Sequence, residues 1–273
     1  MKLEGAVAIV TGASAGIGYE TALEFARQGA HVVVAARRED RLRALAQRIE
    51  RIGVQAHVVV ADVGRAEDVH RIVRDTIERF GRVDVLVNNA GFGFSGTIEE
   101  TPEEDMRELM DVNYMSAFIA TRAVLPYMRA QRRGHIVNVS SVVGKLAFPF
   151  HGAYSATKFA MVGMTESLRG ELAGSGVTAT VVLPGSTRTE FFAAQRTRAG
   201  HVSAPTGPRQ SAQQVASAIV RSARRPTPEV NMVAPYRIAY GLHGFFPALR
   251  DIAGRAFYQR RRRTENQEPR TNR

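Results

Sequence analysis

The sequence predicts an α/β fold: an open, doubly wound parallel sheet of about seven strands, with helices on both faces and a helical extension at the C-terminus. Three observations lead there. Short β-branched runs alternate with amphipathic stretches of helical period along most of the chain. The strand-like runs are apolar throughout, as strands buried on both faces are. The first of them leads straight into a glycine-rich turn and then a helix.

The first strand is Ala6–Val10, and Gly12 stops it. His31–Ala35, His57–Ala61, Val83–Asn88, His135–Ser140 and Val177–Leu183 continue the series, and Glu229–Ala234 supplies a seventh. Helices are expected at Tyr19–Gln28, Arg38–Arg51, Ala66–Phe80, Pro102–Arg132 and Ala153–Ala173. Crossovers between parallel strands are right-handed. No repeat of fixed period and no Gly/Ser linker divides the chain, so one domain is expected over 1–273, with its core in 1–240. Residues 188–210 mix Thr, Gly, Pro and Ala and read as a mobile loop; one that long is functional or disordered. Residues 235–260 carry apolar side chains near helical spacing, and the basic tail, 261–273, reads as disordered.

Composition narrows the function classes. At 273 residues the chain buries a sizeable core without staples. Hydrophobic residues at 44% and charged residues at 23% exclude global disorder and collagen-like structure. There is no cysteine, which removes disulfides, thiolate metal sites and cysteine nucleophiles and fits a cytoplasmic, reducing compartment. The seven histidines show no metal spacing, so no metal is expected. No apolar run reaches the length of a bilayer span, and Ala6–Val10 is too short for the core of a signal peptide. The net charge is +11, and residues 255–273, with seven Arg and two Glu, hold a large share of it. Such a balance suits phosphorylated ligands, nucleic acid or an anionic membrane, or is a solvated tail.

The glycine turn reads Thr11-Gly12-Ala13-Ser14-Ala15-Gly16-Ile17-Gly18. Glycines there let the backbone approach a pyrophosphate, and the following helix N-terminus faces it with free N–H groups. Further motifs follow in order. Asn88-Asn89-Ala90-Gly91 ends the fourth strand, Asn113 lies in the next long helix, and Ser141 ends the fifth strand. Tyr154 and Lys158 are four apart, and Pro184-Gly185 follows the sixth strand, with Thr187 and Thr189 beyond. Together these residues resemble the short-chain dehydrogenase/reductase family over residues 1–240, a Rossmann-like fold.

The resemblance implies a dinucleotide held by Gly12, Ser14, Ala15, Gly16, Ile17 and Gly18. It implies further cofactor contacts from Asp62 and Val63 near the adenine, from Asn89, Ala90 and Gly91, and from Pro184, Gly185, Thr187 and Thr189 near the nicotinamide. Asp62 also reads as a helix N-cap. Where a strand-two acid would hold a ribose 2′-hydroxyl, this chain has Ala36, followed by Arg37 and Arg38. Guanidinium groups suit a 2′-phosphate, so NADP(H) is favoured over NAD(H); the alternative is that both arginines merely open a solvated helix.

Hydride transfer to a carbonyl leaves charge on oxygen, so the site needs a proton donor and a polarising group. Tyr154 and Lys158 share one helix face, and a nearby ammonium lowers a phenol pKa. Tyr154 is assigned general acid and base. The resemblance implies that Lys158 also binds the cofactor ribose, that Ser141 bonds the substrate oxygen, and that Asn113 holds a relay water. Asn113 reads equally as satisfying a buried backbone group. Strand alternation turns Ser140 away from the face that Ser141 uses.

Phe92, Phe94, Val143, Phe148, Phe191 and Phe192 are candidate pocket walls, with His151 near the mouth, and their character suggests a lipophilic ketone or alcohol. The apolar stretch from Tyr236 to Phe257, ahead of Arg260–Arg263, reads as packing on the pocket or a subunit, or as peripheral membrane contact. Two rival functions stay open: a 3-oxoacyl-carrier-protein or CoA reductase, and an NADP(H)-binding sensor or scaffold with little turnover. Nucleic-acid binding rests on the arginine tail alone and is not favoured. The resemblance also implies a homodimer or homotetramer built through the helices that contain Asn113 and Tyr154.

Overall fold

The computed structural model describes residues 1–197 and 209–233 and nine separate positions between 240 and 259. The tail 261–273, most of the expected extension and the middle of the expected loop lie outside the described residues. The elements run β1 (Val7–Thr11), α1 (Gly16–Arg27), β2 (His31–Ala36), α2 (Glu39–Glu50), β3 (Ala56–Val60), α3 (Ala66–Phe80), β4 (Val85–Asn88) and β5 (Phe94–Ser95). They continue α4 (Glu103–Met110), α5 (Ser116–Ala130), β6 (Gly134–Val139), α6 (Gly152–Glu171), β7 (Val177–Leu183), β8 (Thr187–Arg188), β9 (Arg196–Thr197), β10 (Gln210–Ser211), α7 (Ala212–Arg224) and β11 (Glu229–Asn231).

Seven strands form one sheet in the order β11-β7-β6-β4-β1-β2-β3. Every pair in it is parallel. β1 lies inside the sheet, with Val10 in register with Val34 on one side and Val87 on the other. All five of its residues are buried, which is why it reads as an unbroken apolar run. The strand order reverses between β1 and β4, and such a switch point opens a crevice at the carboxyl ends of the strands. One face is covered by α1, α2 and α7 through Phe25, Leu45 and Ile219; the other by α3, α5 and α6 through Ile72, Val124 and Leu168.

Two expectations need correction. The single helix over Pro102–Arg132 is interrupted by a π-helical turn at Asp111–Met115, between α4 and α5. The wider turn carries Asn113 at full burial, a displacement that 3.6-residue periodicity does not register. Second, no helix was expected between β7 and β11, yet α7 lies there. Its signals are local: the Ser211 hydroxyl accepts from Gln214 N, and Gln214 Oε1 accepts from Ser211 N, a capping box ahead of Val215, Ile219 and Val220. The described ends of the loop after β7 are paired, and residues 198–208 lie outside the described residues. β8 pairs with β10, and β9 pairs with β5.

Candidate active site

The glycine turn is fastened to the end of β4. Thr11 Oγ1 accepts from the N–H groups of Asn89 (3.0 Å) and Ala90 (3.1 Å), and Asn89 Nδ2 donates to Thr11 O at 2.9 Å. Gly12 has φ +66°, and a Cβ there would lie 2.8 Å from Ala90 Cα. A Cβ at Gly18 would lie 2.5 Å from Asn89 Nδ2. Both positions therefore need glycine to let the two segments meet. Among the described residues no side chain caps the N-terminus of α1, and no acid stands in its first turn. Its N–H groups face the crevice with the positive end of the helix dipole, the arrangement that a pyrophosphate fits.

The other end of this groove is basic. Ala36 ends β2, and Arg37 and Arg38 follow, both exposed. Arg38 Nε and Nη2 donate to Ser14 Oγ at 3.1 and 3.0 Å, which lays the guanidinium over the glycine turn. Asp62 lines the same cavity. It is not the N-cap of α3, which is Arg65; its Oδ1 accepts from Gly64 N at 3.1 Å and shapes the turn before that helix.

The proton-transfer residues gather where β6 and α6 meet. Ser141 Oγ accepts from Val143 N at 3.3 Å, and its hydroxyl bonds the Tyr154 phenol. Ser140 is buried and donates to Lys158 O at 2.9 Å, so the two serines point apart as alternation predicts. Lys158 is buried, donates from Nζ to Val139 O at 3.1 Å, and lies 5.7 Å from the centre of the Tyr154 ring. Burial pushes the Lys158 ammonium down to about 8. Burial also raises the Tyr154 phenol above its ordinary value, and the Ser141 bond opposes this only in part. In the chain by itself desolvation is the dominant influence on the phenol.

The Asn113 side chain is bonded within the protein. Its Nδ2 donates to Phe92 O (3.0 Å) and Thr157 Oγ1 (3.2 Å), and its Oδ1 accepts from Phe92 N (2.9 Å). The amide thus holds the segment after β4 against α6.

A cavity of about 740 Å³ joins these parts. Gly12, Ser14, Ala15, Gly16, Ile17, Arg37, Arg38, Asp62, Val63, Asn89, Ala90, Gly91, Pro184, Gly185, Thr187 and Thr189 line it, together with Ser141, Tyr154 and Lys158. Gly18 and Asn113 do not; they brace the wall from behind. The expected apolar residues Phe92, Phe94, Val143, Phe148, His151 and Phe191 line it too, though Phe94 is almost wholly packed beside Leu109 and Ala153. The Phe191 ring lies 5.9 Å from that of Tyr154.

Sequence reasoning missed Glu108, Ser186, Glu190, Gln195 and Arg196, all at the cavity. Arg196 donates to Glu108 at 2.7 Å and stands 4.8 Å over the Phe92 ring, closing the rim. Described positions of the C-terminal stretch meet the segment between β6 and α6. Tyr240 donates to Val142 O at 3.2 Å, and Tyr258 stacks on Phe150 at 5.2 Å. Phe150 has φ +68°, a strained conformation for a bulky residue, held here by burial just ahead of α6. Among the described residues no cluster could hold a metal, and no helix is long and apolar enough to cross a membrane.

Comparisons with known proteins agree with this geometry. A family profile described as short chain dehydrogenase matches residues 6–200. "Dehydrogenase/reductase SDR family member 7B" of Xenopus laevis is 38% identical over 195 residues, which is 69% of this chain and 60% of that protein. The chain thus spans less than two thirds of that relative's length. "11-beta-hydroxysteroid dehydrogenase A" of Sesamum indicum is 37% identical over 93% of this chain and 76% of its own. A short-chain dehydrogenase/reductase from Burkholderia phymatum in complex with NAD superimposes with a TM-score of 0.83, at 27% identity, covering 91% of this chain and 96% of that one. An alcohol dehydrogenase from Thermococcus sibiricus complexed with 5-hydroxy-NADP gives a TM-score of 0.75 at 29% identity, covering 84% and 96%.

Proposed function

Because this chain belongs to the short-chain dehydrogenase family, we propose that it is an NADP(H)-dependent oxidoreductase that interconverts the carbonyl and alcohol of a small lipophilic substrate. The observation that carries this reading is one cavity with proton-transfer residues at one end and an uncapped helix N-terminus beside arginines at the other. A nicotinamide dinucleotide bound there supplies the hydride acceptor or donor.

The chain's own residues do the rest. The N–H groups of α1 and the tight turn at Gly12 and Gly16 receive the pyrophosphate. Arg37 and Arg38, with Ser14, receive a 2′-phosphate, and no acid at the end of β2 opposes it. Asn89, Ala90, Gly91, Pro184, Gly185, Thr187 and Thr189 wall the nicotinamide end. Ser141 donates a hydrogen bond to the substrate oxygen, and Tyr154 donates the proton. The raised phenol pKa keeps Tyr154 protonated at neutral pH, which suits it as the acid of a carbonyl reduction. Lys158 is a cation below about pH 8 and stabilises the phenolate left behind. Asn113 is a positioning residue that fixes the segment after β4.

Phe92, Val143, Phe148 and Phe191 favour an apolar substrate body. The test is consumption of NADPH against NADH by the purified protein over lipophilic ketones, aldehydes and 3-oxoacyl thioesters. Turnover with NADPH on lipophilic ketones is the expected result. Turnover confined to NADH overturns the cofactor reading. Tight NADPH binding without turnover on any carbonyl favours a sensor.

A further inference from the structure

Glu190 follows β8 in the loop that flanks the cavity. Its neighbours in sequence touch both halves of the site. Thr189 packs on the glycine turn, where a Cβ at Gly16 would come within 3.0 Å of Thr189 Cγ2. Phe191 leans on the Tyr154 ring. Between them the Glu190 carboxylate crosses the groove to the basic cluster after β2. Its Oε2 accepts from Arg38 Nη1 at 3.0 Å, and its two oxygens accept from Arg41 Nη1 at 2.7 and 2.9 Å. The same Arg38 bonds Ser14 through its other nitrogens. The two guanidinium groups hold the Glu190 carboxyl below its usual range.

We propose that Glu190 is a specificity residue for the cofactor: its carboxylate occupies the Arg38–Arg41 cradle and competes there with a 2′-phosphate. The inference rests on the reading of this cluster as the 2′-phosphate site. A phosphomonoester carries about −1.5 to −2 charges and takes the same guanidinium N–H groups as a carboxylate. The two anions cannot share the cradle without repulsion, so phosphate entry must displace Glu190. A ribose 2′-hydroxyl makes no such demand. Glu190 therefore narrows the preference for the phosphorylated cofactor that the arginines create, by weakening its binding and leaving the other untouched. Both ion pairs are partly exposed, so the effect is modest, about three- to ten-fold in affinity.

The test uses the full chain and two fragments, adenosine 2′,5′-bisphosphate and 5′-AMP, titrated by calorimetry without any turnover. Glu190→Gln should tighten the bisphosphate about three- to ten-fold and shift 5′-AMP less than two-fold. Glu103→Gln, an equal charge change on exposed α4, controls for the net charge and should shift the bisphosphate less than two-fold. If the wild-type chain binds the two fragments equally and Glu190→Gln gains no preference, the 2′-phosphate reading itself fails. If it prefers the bisphosphate but Glu190→Gln leaves that preference unmoved, or weakens it, the Glu190 inference alone is overturned. Equal tightening by Glu103→Gln would reduce the effect to general electrostatics and overturn it too.

Discussion

Tyr154 and Lys158 were legible because their relation is local: four residues on a helix place them on one face whatever the rest of the fold does. Ser141 is carried by the resemblance, and strand alternation only separates it from Ser140, which bonds Lys158 O instead. Glu190 and Arg196 had no such signal. Glu190 meets Arg38 across 152 positions of sequence, and Arg196 meets Glu108 across 88, on a loop with no periodicity to read. At this scale the chemistry yields two predictions. Tyr154→Phe removes the only proton that the phenol can give, so turnover should fall at least ~100-fold while NADPH affinity stays within about two-fold. Fluorescence titration beside steady-state rates checks this, and an unaltered rate would remove Tyr154 from the mechanism. Lys158 is protonated below about 8 and loses its charge above it. Carbonyl reduction should therefore decline as pH rises through that value, and a rate that stays flat from pH 7 to 9 would contradict a cationic role.

Whole elements were read well where one pattern ran through them, as in α3, whose predicted and observed bounds coincide at Ala66–Phe80. They were misread where geometry changes mid-run. The residues of α4, the π turn and α5 form one continuous helical pattern, and only packing against Phe92 and Thr157 fixes where the turn widens. The capping box of α7 was readable and was overlooked beside an irregular loop. Ser211→Ala should remove one of its two hydrogen bonds and cost about 1 kcal/mol of stability, measured by denaturant unfolding. His135 on β6 makes a second element-level case. It is wholly buried, its Nδ1 lies 2.8 Å from Thr178 Oγ1, and burial pushes its pKa down from 6.5 to about 3. The unfolded chain binds this proton below 6.5 and the folded chain does not. The contribution of neutral His135 is thus full above pH 6.5 and is lost as pH falls toward 3. His135→Gln should flatten that part of the stability profile between pH 6.5 and 4; a profile as steep as the wild type would place the acid sensitivity in the carboxylates.

At the scale of the molecule, the parallel sheet followed from strand–helix alternation, and its strand order and switch point are seen only in the structure. Which faces would meet a second copy of the chain is a matter of exposure rather than of periodicity. The helices on the α5–α6 side present Phe118, Tyr127 and Phe159, each 41% exposed, and Met115 at the π turn stands beside them in sequence. These are large apolar groups on the outer faces of helices whose inner faces already fill the core. A stable dimer buries about 800 Å² per partner, and a two-fold axis through such a face would bring each of these side chains against a symmetry-related surface. The expected outcome is a dimer or tetramer in sedimentation velocity. The double substitution Phe118→Glu with Phe159→Glu then sets like charges into the contact twice over, and the assembly should fall to a smaller species at micromolar concentration. Since both side chains are already substantially exposed in the single chain, the isolated subunit should keep its circular dichroism spectrum. A wild-type protein that sediments as a monomer, or a double variant that stays assembled, would move the interface away from these helices.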